Sequence, residues 1–198
     1  MSRIISSSFE IKGEVTKNRI LHAADTIFCR HGLRAVSIDK ICHSIGIAKK
    51  TFYLCFASKD ALVEEFVEGA FSKIHHALRE DSLPLEAIQR LKVFDRHLAD
   101  FLKMFYPTLI FDLKRYHHDT YQTFLSNRTK LMMDLVDIIE LGKLQGVFRN
   151  TLYSSLLAEL RFNELETIFS QRFEIELDDL NRNHQELFEH YLAGLVHK

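Results

Sequence analysis

Apolar residues recur every three or four positions along most of the chain, which is the spacing of one face of an α-helix. The first regular run begins near Thr16 and places Ile20, Ala24 and Phe28 on a single helical face. Gly32 follows this run, and glycine often ends a helix because it adopts the left-handed backbone conformation without strain. The pattern therefore predicts one helix that ends at Gly32.

The same periodicity continues to the C-terminus and predicts about nine helices in all. The later helices are predicted to begin after the cap Ser58, near Pro84 and after Pro107, and then to span about 120–143, 152–172 and 178–196. Glycine and proline together supply only nine of the 198 residues. A sheet-rich chain needs turn-forming residues much more often, so the composition favours an all-α fold class.

Two short predicted helices lie between Ser37 and Phe56, in the segment SIDKICHSIGIAKKTFYLCF. Ser37 is a favourable N-cap for the first helix, and Gly46 permits a sharp turn before the second. Phe52 and Phe56 have the spacing of an inward-facing stripe, which leaves the other face of that helix outside. Two helices joined by such a turn are the plan of a helix-turn-helix motif, whose second helix enters the major groove of DNA.

The charge distribution divides the chain at about residue 60. Residues 1–60 contain ten Lys/Arg and five Asp/Glu, whereas residues 61–198 contain sixteen and twenty-two. A basic N-terminal part on an acidic remainder is typical of a nucleic-acid-binding region attached to a larger body. We accordingly predict a flexible arm over 1–13, a helix-turn-helix DNA-binding domain over 14–60 and a larger helical domain over 61–198.

Other features of the sequence argue against several classes of protein. No apolar run reaches the ~18 residues that a membrane-spanning helix requires, and the N-terminus lacks the apolar segment of a secretory signal. Three cysteines without a C-x-x-C pair favour neither a disulfide framework nor a zinc ribbon. The expectation is a soluble, cytoplasmic protein that contacts no membrane and requires neither a cofactor nor a metal.

The region from Ile20 to Val63 resembles the N-terminal domain of the tetracycline-repressor-like (TetR/AcrR) regulators. The matching residues are Ala24, Phe28, Gly32, Ser37, Ile41, Gly46, Thr51, Tyr53, Phe56, Lys59 and Leu62. The rest of the chain resembles this family only in its all-helical layout. The resemblance implies a bacterial transcriptional regulator and not an enzyme. Most such regulators are repressors that bind operator DNA as homodimers and leave it when a small-molecule effector binds the C-terminal domain.

The resemblance also implies a set of DNA-contacting residues on the outer surface of the motif: Ser37, Lys49, Lys50, Thr51, Tyr53, Leu54 and Lys59. The first and the last of them are expected to contact the DNA backbone. Thr51 and Tyr53 are expected to contact phosphates from the recognition helix. The two adjacent lysines and Leu54 are candidates for base contacts, since lysine reaches guanine acceptors and leucine can meet a thymine methyl group.

The larger helical domain is expected to hold the effector and the dimer contact. By the layout of the family, a cavity for an apolar or aromatic effector is expected beside Phe101, Phe105, Tyr121, Phe124 and Met132. The apolar faces of the last two helices predict a four-helix dimer contact through Leu156, Leu160, Phe169, Phe188, Leu192 and Leu195. For both sets the alternative is an ordinary core within one chain.

Three other interpretations stay open at this level. A helical enzyme or metal protein has little support, because no two of the eleven histidines are three or four residues apart; His97 with Asp100 is one possible pair of ligands on one face. Redox sensing would require an exposed, acidic thiol among the cysteines of the N-terminal region. Lys50 and Cys55 depart from the residues usual in the family, so a helix-turn-helix that no longer reads DNA is the third interpretation.

Overall fold

The computed structural model describes residues 2–82, 85–105, 108–151, 153–171 and 175–196, and within these ranges the chain forms nine α-helices and no strand. The helices are α1 (Ser2–His31), α2 (Ile38–Ser44), α3 (Lys49–Cys55), α4 (Lys59–Ser82), α5 (Ala87–Phe105), α6 (Thr108–Tyr116), α7 (His118–Leu144), α8 (Ser154–Ser170) and α9 (Leu177–Leu195). The predicted all-α fold class is confirmed. The predicted helix boundaries at Pro84, Pro107, 152 and 172 lie outside the described residues.

The chain divides into two compact units. The head unit comprises residues 1–69 and 108–122, and the body unit comprises residues 70–107 and 123–198. The domain boundary predicted after residue 60 differs from this division, because the first part of α4 and all of α6 belong to the head unit. Periodicity identifies a helix but does not identify its packing partner, so the sequence assigned α6 to the larger domain.

Helix α1 differs from its prediction at its N-terminal end. The sequence predicts a flexible arm over residues 1–13, whereas the helix extends back to Ser2. The serines and the glycine of this segment are weak helix formers, but extension of an existing helix adds one hydrogen bond for each residue that is fixed. At the other end Gly32 has φ 75° and donates its amide to the Phe28 carbonyl at 2.8 Å, so the helix ends where the sequence predicts.

The core of the head unit is formed by the inward faces of its helices. Ile20, Phe28, Ile41 and Phe52 are fully buried, and the rings of Phe28 and Phe66 meet edge to face with centroids 5.5 Å apart. Such burial stabilises a small domain by about 1.5–3 kcal/mol for each large apolar side chain. The packing fixes the direction of α3, the helix that carries most of the predicted DNA contacts.

Helix α6 is joined to the segment that follows α1 by a buried carboxylate. Asp112 is 8% exposed, and its Oδ2 accepts the backbone N–H of Arg34 at 2.9 Å. A Cβ added at Gly32 would lie 2.9 Å from the same oxygen, so the glycine permits this close approach as well as the positive φ. The Arg34 guanidinium lies over the Tyr116 ring of α6, 5.4 Å from its centroid. The head unit therefore contains a helix that is distant in sequence.

The interior of the body unit contains a charged network that links α5, α8 and α9. Arg161 is 1% exposed; its Nε donates to Asp95 Oδ1 at 2.7 Å, and another nitrogen contacts Glu164. The second oxygen of Asp95 lies 2.7 Å from His184 Nε2. The guanidinium also lies over the ring of Tyr191, 5.6 Å from its centroid. A buried charge costs free energy unless it is paired, and here each formal charge has a partner.

A close contact at the end of α7 depends on the absence of a side chain. Phe148 is fully buried, and its ring lies so close to Gly142 that an added Cβ would be 2.0 Å from the ring carbon Cδ2. The chain then passes Gly146, which has φ 70°. Gly146 lies beyond the end of α7, while Gly142 is a helical position where an aromatic ring packs on the backbone.

Candidate nucleic-acid interface

The two short helices of the head unit meet at a tight turn. Ser37 is the N-cap of α2, and its side-chain oxygen accepts the Lys40 amide at 3.2 Å. Gly46 has φ 65°, and the Ile47 amide bonds back to the Cys42 carbonyl at 3.0 Å, which closes the turn before α3. The structure therefore has the helix-turn-helix geometry that the sequence predicts. Ser37 forms the cap and Gly46 forms the turn, as the sequence predicts.

Helix α3 presents its polar face and two large apolar side chains to solvent. Phe52 is fully buried and anchors the helix, whereas Tyr53 is 50% exposed and Leu54 is 74% exposed. Lys50 is exposed and has no partner among the described residues, and Thr51 is half-buried. An exposed tyrosine, leucine and lysine on a helix that the core holds in place match what phosphate and base-edge contacts require.

The first residue of α3 is engaged within the motif. Lys49 Nζ lies 3.1 Å from Asp39 Oδ2 of α2, and this hydrogen bond, together with the charge of Asp39, raises the pKa of the lysine. Both side chains are exposed, so the pair is weak and can exchange its partner for a DNA phosphate at little cost. Lys49 is thus placed at the predicted surface, but in the free protein it is paired.

Lys59, the first residue of α4, has a structural contact that the sequence does not reveal. Its Nζ donates to the Leu33 carbonyl at 2.5 Å, which ties the start of α4 to the segment after α1. Partial burial lowers the pKa of its ammonium, while the charges of Asp60 and Asp112 oppose that shift. One of its N–H groups is therefore used inside the head unit, and only the others remain for a phosphate.

One residue that supports the motif was not predicted. Arg19 of α1 reaches the turn between α2 and α3, where its Nη2 donates to the Ile45 carbonyl at 2.9 Å. That carbonyl immediately precedes Gly46, so the arginine holds the turn from outside. In the sequence Arg19 is an arginine one residue before the apolar Ile20. Such a position is too common to indicate a partner 26 residues away.

Three of the five effector residues predicted from the sequence form a packed cluster. Phe101, Phe105 and Phe124 lie together with Phe71, with ring centroids 4.6 Å apart for the first two and 5.3 Å apart for Phe71 and Phe124. Tyr121 lies in the head unit, and Met132 is half-buried in α7. A cavity of about 550 Å³ in the body unit is lined by a different set of side chains from α4, α5 and α7.

The residues predicted for a dimer contact fall into two groups. Three of them are buried within the chain, as in an ordinary core: Phe169, Phe188 and Leu195. Leu192 is half-buried. Leu156 and Leu160 are 49% and 55% exposed on α8. Three- and four-residue spacing alone does not distinguish the inner face of a helix hairpin from its outer face.

The geometry bears on two of the alternative interpretations, a metal site and a redox-sensing thiol. His97 Nε2 lies 2.8 Å from Asp81 Oδ2, while Asp100 contacts Lys103, so the predicted ligand pair is not brought together. The described residues include no group of three His, Cys, Asp or Glu side chains with metal-binding geometry. Burial raises the pKa of the Cys42 thiol, which opposes thiolate chemistry. Among the helices in the described ranges, none is both long and apolar enough to span a membrane.

Two proteins of similar sequence are regulators of transcription. An HTH-type transcriptional regulator of Haemophilus influenzae is 28% identical over 103 residues, which are 50% of this chain and 52% of that protein. The chain thus matches about half the length of this relative. The HTH-type transcriptional repressor KstR2 of Mycobacterium tuberculosis is 26% identical over 151 residues, or 70% of this chain and 73% of that protein.

Solved structures share the fold over nearly their full length. A transcriptional regulator from Saccharomonospora viridis in complex with choline has a TM-score of 0.76 at 18% identity, covering 93% of this chain and 100% of that one. The regulator FadR from Bacillus subtilis in complex with stearoyl-CoA has a TM-score of 0.72 at 17% identity, covering 90% and 98%. At this identity the similarity establishes the fold.

The fold and the geometry of the motif define an all-α helix-turn-helix protein. Residues 20–66 match the family described as bacterial regulatory proteins, tetR family, and this range contains the whole of α2, the turn and α3. Over these residues the N-terminal part of the chain is similar to the tetR family of bacterial regulatory proteins.

Proposed function

We propose that this protein is a transcriptional repressor that binds operator DNA as a homodimer and leaves it when a small molecule binds the body unit. The observation that carries this proposal is the outer surface of α3, where Tyr53 and Leu54 are exposed on a helix fixed by the buried Phe52. Large apolar side chains that are half or more exposed on a short helix are available to a partner molecule. In a major groove they can contact the phosphate backbone and a thymine methyl group.

The homodimer is supported by the exposed apolar side chains of the last two helices. Leu156 and Leu160 lie one turn apart on α8, and Leu187 is 38% exposed on α9. Two such helices can meet their symmetry mates as a four-helix bundle. A dimer is also expected for DNA binding, because two recognition helices read two half-sites about 34–36 Å apart or a multiple of that spacing.

The release by a small molecule is supported by the cavity in the body unit. Its volume of about 550 Å³ lies within the usual range for small-ligand sites, about 300–1,000 Å³. The similar structures from Saccharomonospora viridis and Bacillus subtilis contain choline and stearoyl-CoA. A ligand releases the DNA only if it binds more tightly to the conformation that has lost DNA affinity.

The experiment that tests the function is DNA binding at two salt concentrations. The purified protein is titrated onto the DNA immediately upstream of its own gene, at 50 and 200 mM salt, with an unrelated duplex as competitor. We expect binding that favours the upstream DNA and weakens steeply with salt, because phosphate contacts release counterions. If the upstream and unrelated duplexes bind equally at both salt concentrations, the protein is not a specific regulator of that site.

The variants Lys50→Ala and Tyr53→Ala test which face of α3 meets the DNA. We expect Lys50→Ala to reduce the slope of log binding constant against log salt concentration by about one, the contribution of one phosphate contact. We expect Tyr53→Ala to weaken binding about tenfold through the loss of a phosphate contact. Fluorescence anisotropy with a labelled duplex measures both effects. Lys92→Ala, which removes an exposed lysine from α5 in the body unit, is the matched control and is expected to bind as the wild type does.

The variant Leu160→Asp tests the dimer. A charge at this exposed position of α8 has almost no cost in a monomer, but it would be buried without a partner in a four-helix contact. We expect the mass in solution to fall to one chain, 23.2 kDa, and the DNA affinity to fall with it. Leu144→Asp is the control, since Leu144 is an exposed leucine outside α8 and α9. A wild type that is monomeric while it binds DNA would contradict the proposed assembly.

A further inference from the structure

The cavity of the body unit has an apolar floor between α4, α5 and α7. Leu78 and Phe94 are buried there, and Ile138 and Leu141 are half-buried beside them. These four side chains cannot hydrogen-bond to a ligand, so they suit a hydrocarbon chain or ring. The groups that could orient a ligand are five polar side chains from the same three helices, and these differ in charge from one part of the cavity to another.

Two arginines supply positive charge to the cavity. Arg90 of α5 is half-buried, and its Nε donates to the Leu85 carbonyl at 2.8 Å. Its remaining N–H groups have no acceptor among the described residues, and Arg79 of α4 forms no ion pair within the same ranges. A guanidinium is permanently charged, and its planar set of donors matches a carboxylate. The described chain supplies no carboxylate for either arginine.

Two aspartates, with a histidine beside them, form the acidic part of the cavity. Asp134 of α7 lies 3.4 Å from His75 of α4, while Asp137, one turn later, has no cationic partner among the described residues. Burial raises the pKa of Asp134 and the charge of Asp137 raises it further, while His75 opposes both effects. Two carboxylates thus stand beside one imidazole in this part of the lining, and an ammonium group would find an acceptor there.

His75, beside the aspartates, and Arg79 of the basic part both lie on α4. His75 and Arg79 differ by four positions on α4, which is an axial rise of about 6 Å, and the lining of α7 from Asp134 to Leu141 spans about 10 Å. From this arrangement we infer that the cavity binds a zwitterionic amphiphile with an ammonium group at one end, a carboxylate at the other and an apolar body between them. The assignment of this ligand as the effector rests on the proposed function.

A purely anionic or purely cationic amphiphile fits the cavity less well. Either one satisfies only one charged part and covers the other with its apolar end, which removes water from charges, such as that of Asp137, for which the described chain supplies no counter-ion. The zwitterion replaces that water at both ends with charge-assisted hydrogen bonds. Its advantage over either singly charged compound is expected to be about tenfold in affinity, because it forms charge-assisted hydrogen bonds at both ends of the cavity instead of one.

The test is isothermal titration calorimetry of the full chain with three compounds that share an eight-carbon chain. These are ω-aminooctanoate, octanoate and octylamine, measured at pH 7 in the absence of DNA. We expect ω-aminooctanoate to bind about tenfold more tightly than either of the others. Equal affinities for the three compounds, or no binding by any of them, would overturn the proposed ligand class.

Charge-removing variants assign each end of the ligand to its part of the cavity. In Arg90→Gln we expect ω-aminooctanoate and octylamine to bind with equal affinity, because the carboxylate has lost its partner. In Asp137→Asn we expect ω-aminooctanoate and octanoate to bind with equal affinity, because the ammonium group has lost its partner. Lys92→Gln removes an exposed charge from α5 outside the cavity lining and is expected to behave as the wild type does. If both advantages survive in both variants, the compounds bind elsewhere and the proposed site is wrong.

A second readout separates the ligand from the function. Saturating ω-aminooctanoate is added to the protein on the upstream DNA, and we expect the DNA affinity to fall at least about fivefold. Binding in the calorimeter without this loss would refute the effector assignment. If the ligand-free protein has no salt-sensitive DNA binding, the proposed function fails on its own, whatever the calorimetry shows.

Discussion

Replacing Arg161 with methionine is expected to lower the free energy of unfolding by about 3–5 kcal/mol. The guanidinium is 1% exposed and lies 2.7 Å from Asp95, which is 4% exposed. Methionine fills most of the volume but leaves the Asp95 charge inside the body unit with only His184 beside it. The loss comes from this stranded carboxylate more than from the missing contact.

Chemical unfolding followed by circular dichroism measures the effect, at one protein concentration because a dimer links stability to concentration. Arg182→Met is the control, since Arg182 pairs with Asp179 at the surface and such pairs contribute about 0–1 kcal/mol. The double variant Asp95→Asn with Arg161→Met is expected to be more stable than Arg161→Met alone, because it removes the stranded charge. If Arg161→Met and Arg182→Met lower the free energy of unfolding equally, the buried network contributes no more to stability than a surface ion pair does.

Replacing Gly142 with alanine is expected to destabilise the protein by about 1–3 kcal/mol, although alanine is the better helix former. The new Cβ would lie 2.0 Å from one carbon of the Phe148 ring and 2.4 Å from another, and this ring is fully buried. Neither the ring nor the helix backbone can move without disturbing other core contacts. The overlap therefore outweighs the gain of up to about 1 kcal/mol in helix propensity.

Thermal and chemical unfolding measure this change against Gly69→Ala, a control of opposite sign. Gly69 is also helical, but a Cβ added there meets nothing within 4 Å, so this variant is expected to gain up to about 1 kcal/mol. Adding Phe148→Leu to Gly142→Ala is expected to restore part of the loss, since leucine removes the overlapping ring edge. If Gly142→Ala proves as stable as Gly69→Ala, the close contact with Phe148 is not present in solution.

The helix-turn-helix could be predicted from the sequence because its signals are local. Ser37 caps α2 with its own side chain, Gly46 supplies the positive φ of the turn, and Phe52 marks the inner face of α3. Each of these features is determined within a few residues of its position. The contacts of Arg19 and Lys59 join residues 26 positions apart, and no local pattern indicates them.

The cavity could not be predicted from apolar spacing. A phenylalanine that packs on other rings, such as Phe101, and one that borders open space, such as Phe94, occupy the same helical register on α5. What separates them is how completely neighbouring helices fill the volume, which depends on helix axes and on long-range packing. The polar residues of the cavity give a weak signal for the same reason, since Arg90 and Asp137 are typical of a solvated helix face.

The buried carboxylate of Asp112 limits how this regulator could be re-engineered. Chimeric repressors are commonly imagined as a DNA-reading piece cut from one chain and fused to a sensing piece from another. Here a cut after residue 69 would separate the reading piece from α6, and with it from the oxygen that accepts the Arg34 amide and from the buried Leu109 and Leu113. A transplant of the whole head unit would have to carry two stretches of sequence, 1–69 and 108–122, so this unit is not encoded as one contiguous segment.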